Sequence, residues 1–144
     1  MIDMIDDNKI TLNNLYDIAE ENDISVYDCE LNPIKSMSVP GAIGMDTKQI
    51  ENSREEKARL AHELGHCMRG AFYTGISPLE LREQHEYRAD KWVIQNLIPF
   101  DKLLKALKQG ITEIWSLAEY FDITEDYIKK ALTLYEEKLL YCKE

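Results

Sequence analysis

Basic residues are scarce in this chain: 17 lysines and arginines stand against 27 aspartates and glutamates, a formal charge of −10 over 144 residues. A sequence-independent grip on nucleic acid comes from cations displacing the counterions of the phosphates, so the deficit disfavours direct nucleic-acid binding. The stretch from Pro99 to Glu144 offers no compensating patch, with seven lysines and nine acids for a local balance of −2. The acidity favours a basic protein partner instead. Long apolar runs are also missing: none approaches the roughly 20 residues needed to span a bilayer, and no membrane association is expected. The opening MIDMIDDNK is acidic and has neither the basic start nor the apolar stretch of a secretory signal. The three cysteines, Cys29, Cys67 and Cys142, form no CxxC pair and leave one over from any disulfide scheme. Reduced thiols in a cytoplasmic protein are the simplest reading. With six glycines and four prolines the chain is poor in the residues of collagen-like or disordered segments, and its 44% apolar and 31% charged residues are those of a folded globular protein.

That length fits one domain, residues 1–144, which the sequence divides into a core over 1–98 and a helical C-terminal extension over 99–144. Leu12, Leu15, Ile18 and Ala19 recur at helical spacing and predict a short amphipathic helix over Thr11 to Asn22. ISVYDCEL, Ile24 to Leu31, alternates with β-branched and aromatic residues and predicts a strand. SVPGAIGMDTKQIENS, with turn residues at Pro40, Gly41, Gly44 and Asp46, reads as loop plus strand or hairpin. Ser53 and Glu56 form a capping box for a helix running to about Met68 and ending near Gly70. Ser77, Pro78 and Glu80 repeat the pattern for a second helix, which Pro99 stops. Beyond it lie helical segments to Gly110, from about Glu113 to Phe121, and after Thr124. Helix, two or three strands, then helices alone make an α+β domain, mainly helical with a short N-terminal sheet.

The helix starting at Ser53 carries ARLAHELGHCMRG, Ala58 to Gly70. Residues four apart share a helix face, so His62 and His66 can aim ring nitrogens at one zinc ion while Glu63, one step round, serves as general base. A catalytic zinc wants a third protein ligand and an open position. Glu86 is the best candidate in the next helix, because Ala89, Asp90, Val93 and Leu97 follow it at helical spacing and place it on the stripe that should pack inward. A carboxylate there is costly unless something positive compensates it. Asp90, one turn on, can accept the second ring N–H of a ligating histidine. Glu83 and His85, rotated off the stripe by about 60° and 100°, read as solvated. Tyr73, His85 and Tyr87 are conceivable donors to an oxyanion, and the segment from Ala42 to Ile50 could offer a strand edge to an extended substrate.

HELGH, followed after nineteen residues by Glu86 and Asp90 in EYRADKWVIQNLIP, resembles the zinc metallopeptidases in which an HExxH helix is answered by ExxxD. More narrowly it is similar to the ImmA/IrrE family of small bacterial and phage metallopeptidases, which pair HELGH with E-x-x-A-[DN] and a nearby proline. Trp92 and Val93 stand where Phe-Ala is common, a packing difference that leaves the ligands untouched. The resemblance implies a zincin-like domain, zinc held by His62, His66 and Glu86, catalysis by Glu63, and a limited, site-specific cut in a helix-turn-helix transcriptional repressor of a phage or mobile element. The alternative is a zinc-containing module that holds such a regulator without cutting it, although an intact Glu63 favours the enzyme. Trp115 to Tyr135 resembles a helix-turn-helix, but Leu117, Phe121, Ile128 and Leu132 look like core, and the acidity favours a packed helical pair over DNA readout.

Overall fold

The computed structural model describes residues 9–141; Cys142 and the acidic opening over 1–8 lie outside the described residues. The elements run α1 (Leu12–Glu21), β1 (Ser25–Asp28), β2 (Ser36–Val39), β3 (Ala42–Met45), a 3-10 turn (Thr47–Gln49), α2 (Ser53–Arg69), α3 (Leu79–Leu97), α4 (Phe100–Lys108), α5 (Ile114–Phe121), α6 (Glu125–Leu134) and α7 (Glu136–Tyr141). The architecture is the expected α+β one, mostly helical with one small sheet. It separates into two compact units that meet in sequence at Val93 and Ile94. Among the described residues no helix is long and apolar enough to cross a membrane.

In the unit from Thr11 to Val93 the sheet has the order β1-β3-β2. Strand β1 pairs with β3 in parallel and β2 pairs with β3 antiparallel, joined by a turn at Pro40 and Gly41. Gly41 takes φ 82°, the left-handed conformation that a glycine reaches without steric cost. The predicted first strand is shorter than its apolar alternation, and the segment expected to present an edge, Ala42 to Ile50, does not do so. Its strand, β3, is central and bonded on both sides, which leaves the outer edges to β1 and β2. Alternation marks a strand but not its neighbours; the Pro-Gly turn reverses the chain and fixes those.

Helix α1 is capped by Thr11, whose side chain accepts the Asn14 N–H while Asn14 Oδ1 accepts the Thr11 N–H. Helix α2 is capped by Asn52, whose side chain accepts the Glu55 N–H at 2.8 Å, and not by the predicted pair Ser53 and Glu56. Asn52 is extended while Ser53 is already helical, and Glu56 is engaged elsewhere, accepting the Tyr16 hydroxyl at 2.6 Å to tie α1 to α2. Asparagine and serine cap about equally well, so the sequence did not separate them. The Glu51 N–H, Lys35 and Arg59 converge on Glu55 and hold its carboxyl down to about 2. In α3 the first helical bond runs from the Arg82 N–H to the Pro78 carbonyl, and the Ser77 hydroxyl accepts the Thr74 N–H, so the helix starts at Leu79 and its cap position is Pro78, one residue later than the predicted Ser77. Leu15, Ala19, Ile43, Met45, Leu60, Leu64, Ala89 and Val93 form the buried core of this unit.

From Ile94 on, the second unit is helical. Leu117, Phe121, Tyr127, Ile128 and Ala131 are buried where α5 packs on α6, and Asp122 makes the break between them with φ 55°. Leu132, read from sequence as core, is only half-buried. The first turn of α6, the end that would approach phosphates in a DNA reader, carries Glu125 and Asp126, both exposed. The Tyr135 hydroxyl donates to the Ile98 carbonyl at 3.0 Å and ties the C-terminal part of this unit to its start.

Candidate metal centre

Helix α2 contributes His62, Glu63 and His66, and α3 contributes Glu86 and Asp90. The two helices approach closely at one point. A Cβ built on Gly65 would lie 2.5 Å from the carbonyl oxygen of Ala89 and 3.0 Å from its Cα. The glycine of HELGH and the alanine between Glu86 and Asp90 are thus the two halves of one backbone contact, which sets the separation of the ligand-bearing helices. Gly65→Ala should gain about 1 kcal/mol of helix propensity and lose more, on the order of 1–3 kcal/mol, from overpacking against backbone. The expected result is a lower unfolding temperature together with weakened metal retention after dialysis, since α3 must move and carries Glu86 with it. A stabilised variant with unchanged metal content would reject this account.

Three donor atoms converge at the resulting site. His62 Nε2 lies 2.8 Å from Glu86 Oε1, His66 Nε2 lies 3.2 Å from Glu86 Oε2, and the two imidazole Nε2 atoms are 3.2 Å apart. One ligand atom from each residue falls within 4.8 Å of the others, a grouping able to hold one ion. Each ring is oriented from behind. His62 Nδ1 donates to Asp90 Oδ1 at 2.8 Å, and His66 Nδ1 donates to the carbonyl of Ala71. Gly70, in the left-handed conformation at φ 61°, folds the chain back to deliver that carbonyl at the helix end. With both Nδ1 atoms committed, the Nε2 atoms, which face Glu86 and each other, are the ring positions turned toward a metal, and such outer partners fix tautomer and aim.

The electrostatics match this arrangement. Burial lowers the basicity of His62, but the bonds to Asp90 and Glu86 outweigh it and raise its pKa to about 9. Hydrogen bonds from His62, His66 and Tyr73 hold the Glu86 carboxyl far below the usual carboxylate range. Two imidazoles and one carboxylate, facing each other with positive charge favoured at their centre, fit a divalent metal, and two nitrogens with one oxygen is a donor set that suits zinc.

Glu63 is 6% exposed and does not point at the other donors' partners: its carboxylate accepts the Ser36 hydroxyl at 2.8 Å and the Ser38 hydroxyl at 2.7 Å. Neither serine was singled out from sequence. Their one signal was spacing, two residues apart in SMSV, and spacing does not reveal what a strand faces.

Of the remaining sequence candidates, Tyr73 comes to the site, donating its hydroxyl to Glu86 Oε2 at 2.6 Å. Glu83 is exposed, and Tyr87 is 56% exposed. His85 stacks on Tyr73 with ring centroids 6.3 Å apart, and its Nδ1 is buried without a hydrogen-bond partner. Cys67 is half-buried, and its thiol lies 3.6 Å from the Val39 carbonyl.

No curated protein and no solved structure gives a significant match to this chain. The profile of the IrrE N-terminal-like domain, Peptidase_M78, matches residues 49–133. That span begins before α2, includes both motif helices with His62, Glu63, His66, Glu86 and Asp90, and covers more than half of the sequence. This metallopeptidase-like domain therefore belongs to the IrrE N-terminal-like domain family.

Proposed function

We propose that the chain is a cytoplasmic zinc-dependent endopeptidase that makes one site-specific cut in a helix-turn-helix transcriptional repressor of a phage or mobile element. The observation that carries the reading is the convergence of His62, His66 and Glu86 on a single ion-sized site, with Glu63 on the residue next to His62. Zinc, when bound by those three side chains, supplies Lewis acidity toward a peptide carbonyl and toward water. The chain's own groups do the rest. Asp90 and the Ala71 carbonyl keep the two imidazoles aimed. Glu63 accepts the proton of the attacking water and delivers it to the departing amide nitrogen. Tyr73, whose hydroxyl already stands beside Glu86, is the donor best placed to meet negative charge developing on the carbonyl oxygen.

Specificity follows from the edge of the sheet and from charge. Among the described residues no strand pairs with the outer side of β2, and its Met37 and Val39 are 40% and 46% exposed. An extended segment can add to such an edge through main-chain bonds. The net charge of −10 steers a basic partner and repels acidic ones. A protein that recognises substrate this way acts on one partner able to present a flexible segment, not on unfolded protein in general. Co-expression with a small repressor encoded beside it should yield a single new fragment, read as intact mass, and casein should survive. A repressor that stays full length and co-purifies would replace the enzyme with a holding module. Digestion of many proteins would end the claim of specificity.

A further inference from the structure

The reading of Glu63 as a general base leaves open what keeps its carboxylate aimed, since helix geometry fixes its Cβ and not its oxygens. Two hydroxyls meet it, one on each oxygen, at 2.8 and 2.7 Å. They come from alternate residues of β2, which the period-two pleat places on one face of the strand. The register puts Ser36 opposite Met45 and Ser38 opposite Ile43, so a slip of one residue would turn Met37 to Glu63 in place of both serines. One turn along α2 from Glu63, Cys67 meets the Val39 carbonyl of the same strand. Strand β2 therefore runs along α2 beside the motif, its hydroxyl face toward Glu63 and its outer edge unpaired among the described residues.

We infer that Ser36 and Ser38 are positioning residues for Glu63, clamping its carboxylate in the orientation required for proton transfer. A buried carboxylate needs donors, and this pair provides one to each oxygen: each hydroxyl occupies one lone pair of one oxygen, and each oxygen retains another for a water proton. Because the clamp is built into the edge strand, a partner segment adding to β2 would extend the element that orients the base.

The inference rests on the peptidase reading, and the test separates the two. The zinc-loaded protein is titrated with acetohydroxamic acid, a small zinc chelator whose acidic proton is taken up by a correctly placed base. Ser36→Ala/Ser38→Ala should retain zinc and weaken hydroxamate binding roughly 10- to 100-fold, as expected for loss of bonds to a charged group. Threonine at both positions keeps the hydroxyls and should restore affinity. In a Glu63→Gln background the alanine pair should cause little further loss, since the serines act through Glu63. Unchanged affinity in the alanine pair, or equal additional loss in the Glu63→Gln background, overturns the inference. Should the double variant not fold, Ser36→Ala and Ser38→Ala are read singly against their threonine counterparts. A wild-type protein that binds hydroxamate in a serine-dependent way but leaves the repressor intact ends the peptidase reading and keeps the clamp. Equal cleavage by wild type and the alanine pair does the reverse.

Discussion

Glu63→Gln should leave zinc content intact and cut cleavage by at least the roughly hundredfold typical of a lost general base. The substitution suits this site because it removes the proton acceptor and little else. Glutamine keeps the length and helix propensity of glutamate, and its amide oxygen can still accept one serine hydroxyl while its amide N–H₂ donates to the other, since a hydroxyl also accepts. Glu63 is 6% exposed, so the substitution acts at a buried position without adding a charge there, and no collapse of α2 is expected on that account. His62, His66 and Glu86 are untouched. Metal analysis after dialysis, an unfolding curve and the intact mass of the co-expressed repressor are the three measurements. Cleavage at the wild-type rate by a folded, zinc-loaded Glu63→Gln protein would sink the mechanism.

The second large effect concerns the third ligand. Glu86→Ala should lose zinc in competition with a chelator by far more than Glu83→Ala, on the order of a hundredfold or beyond, because an outer partner of a ligand alone is worth about 10- to 100-fold. Glu86 reaches both histidines and receives the Tyr73 hydroxyl, whereas Glu83 is exposed on the same helix. Asp90→Asn should fall between them, since asparagine can still accept the His62 N–H at 2.8 Å but without charge. Equal zinc loss from Glu86→Ala and Glu83→Ala would show that α3 supplies no ligand at Glu86.

The two histidines were legible because a helix repeats every 3.6 residues, so identity at i and i+4 is already geometry. Glu86 was legible for a related reason: a carboxylate on a stripe followed by Ala89, Val93 and Leu97 is out of place unless it has a task, and those three are 5% exposed or less. The packing reason for the small residues was visible only in pairs. Gly65 and Ala89 each look like ordinary helix residues until the backbones meet.

Local spacing thus established the helix carrying His62, Glu63 and His66, the inward face of the next helix with Glu86 and Asp90, and the α+β order of elements. Helical bonds join residues close in sequence, so their consequences can be read from a window of a few residues. The fold was needed to place Asn52 ahead of Ser53 at the cap, to make β3 central and β2 an edge strand, to bring the Ala71 carbonyl onto His66, and to set Ser36 and Ser38 against Glu63. Strand pairing joins residues far apart, and a shift of one residue exchanges the faces of a strand, so the surroundings of Glu63 are a property of register. Helix period wrote the candidate metal ligands into the chain, and sheet register determined what holds Glu63.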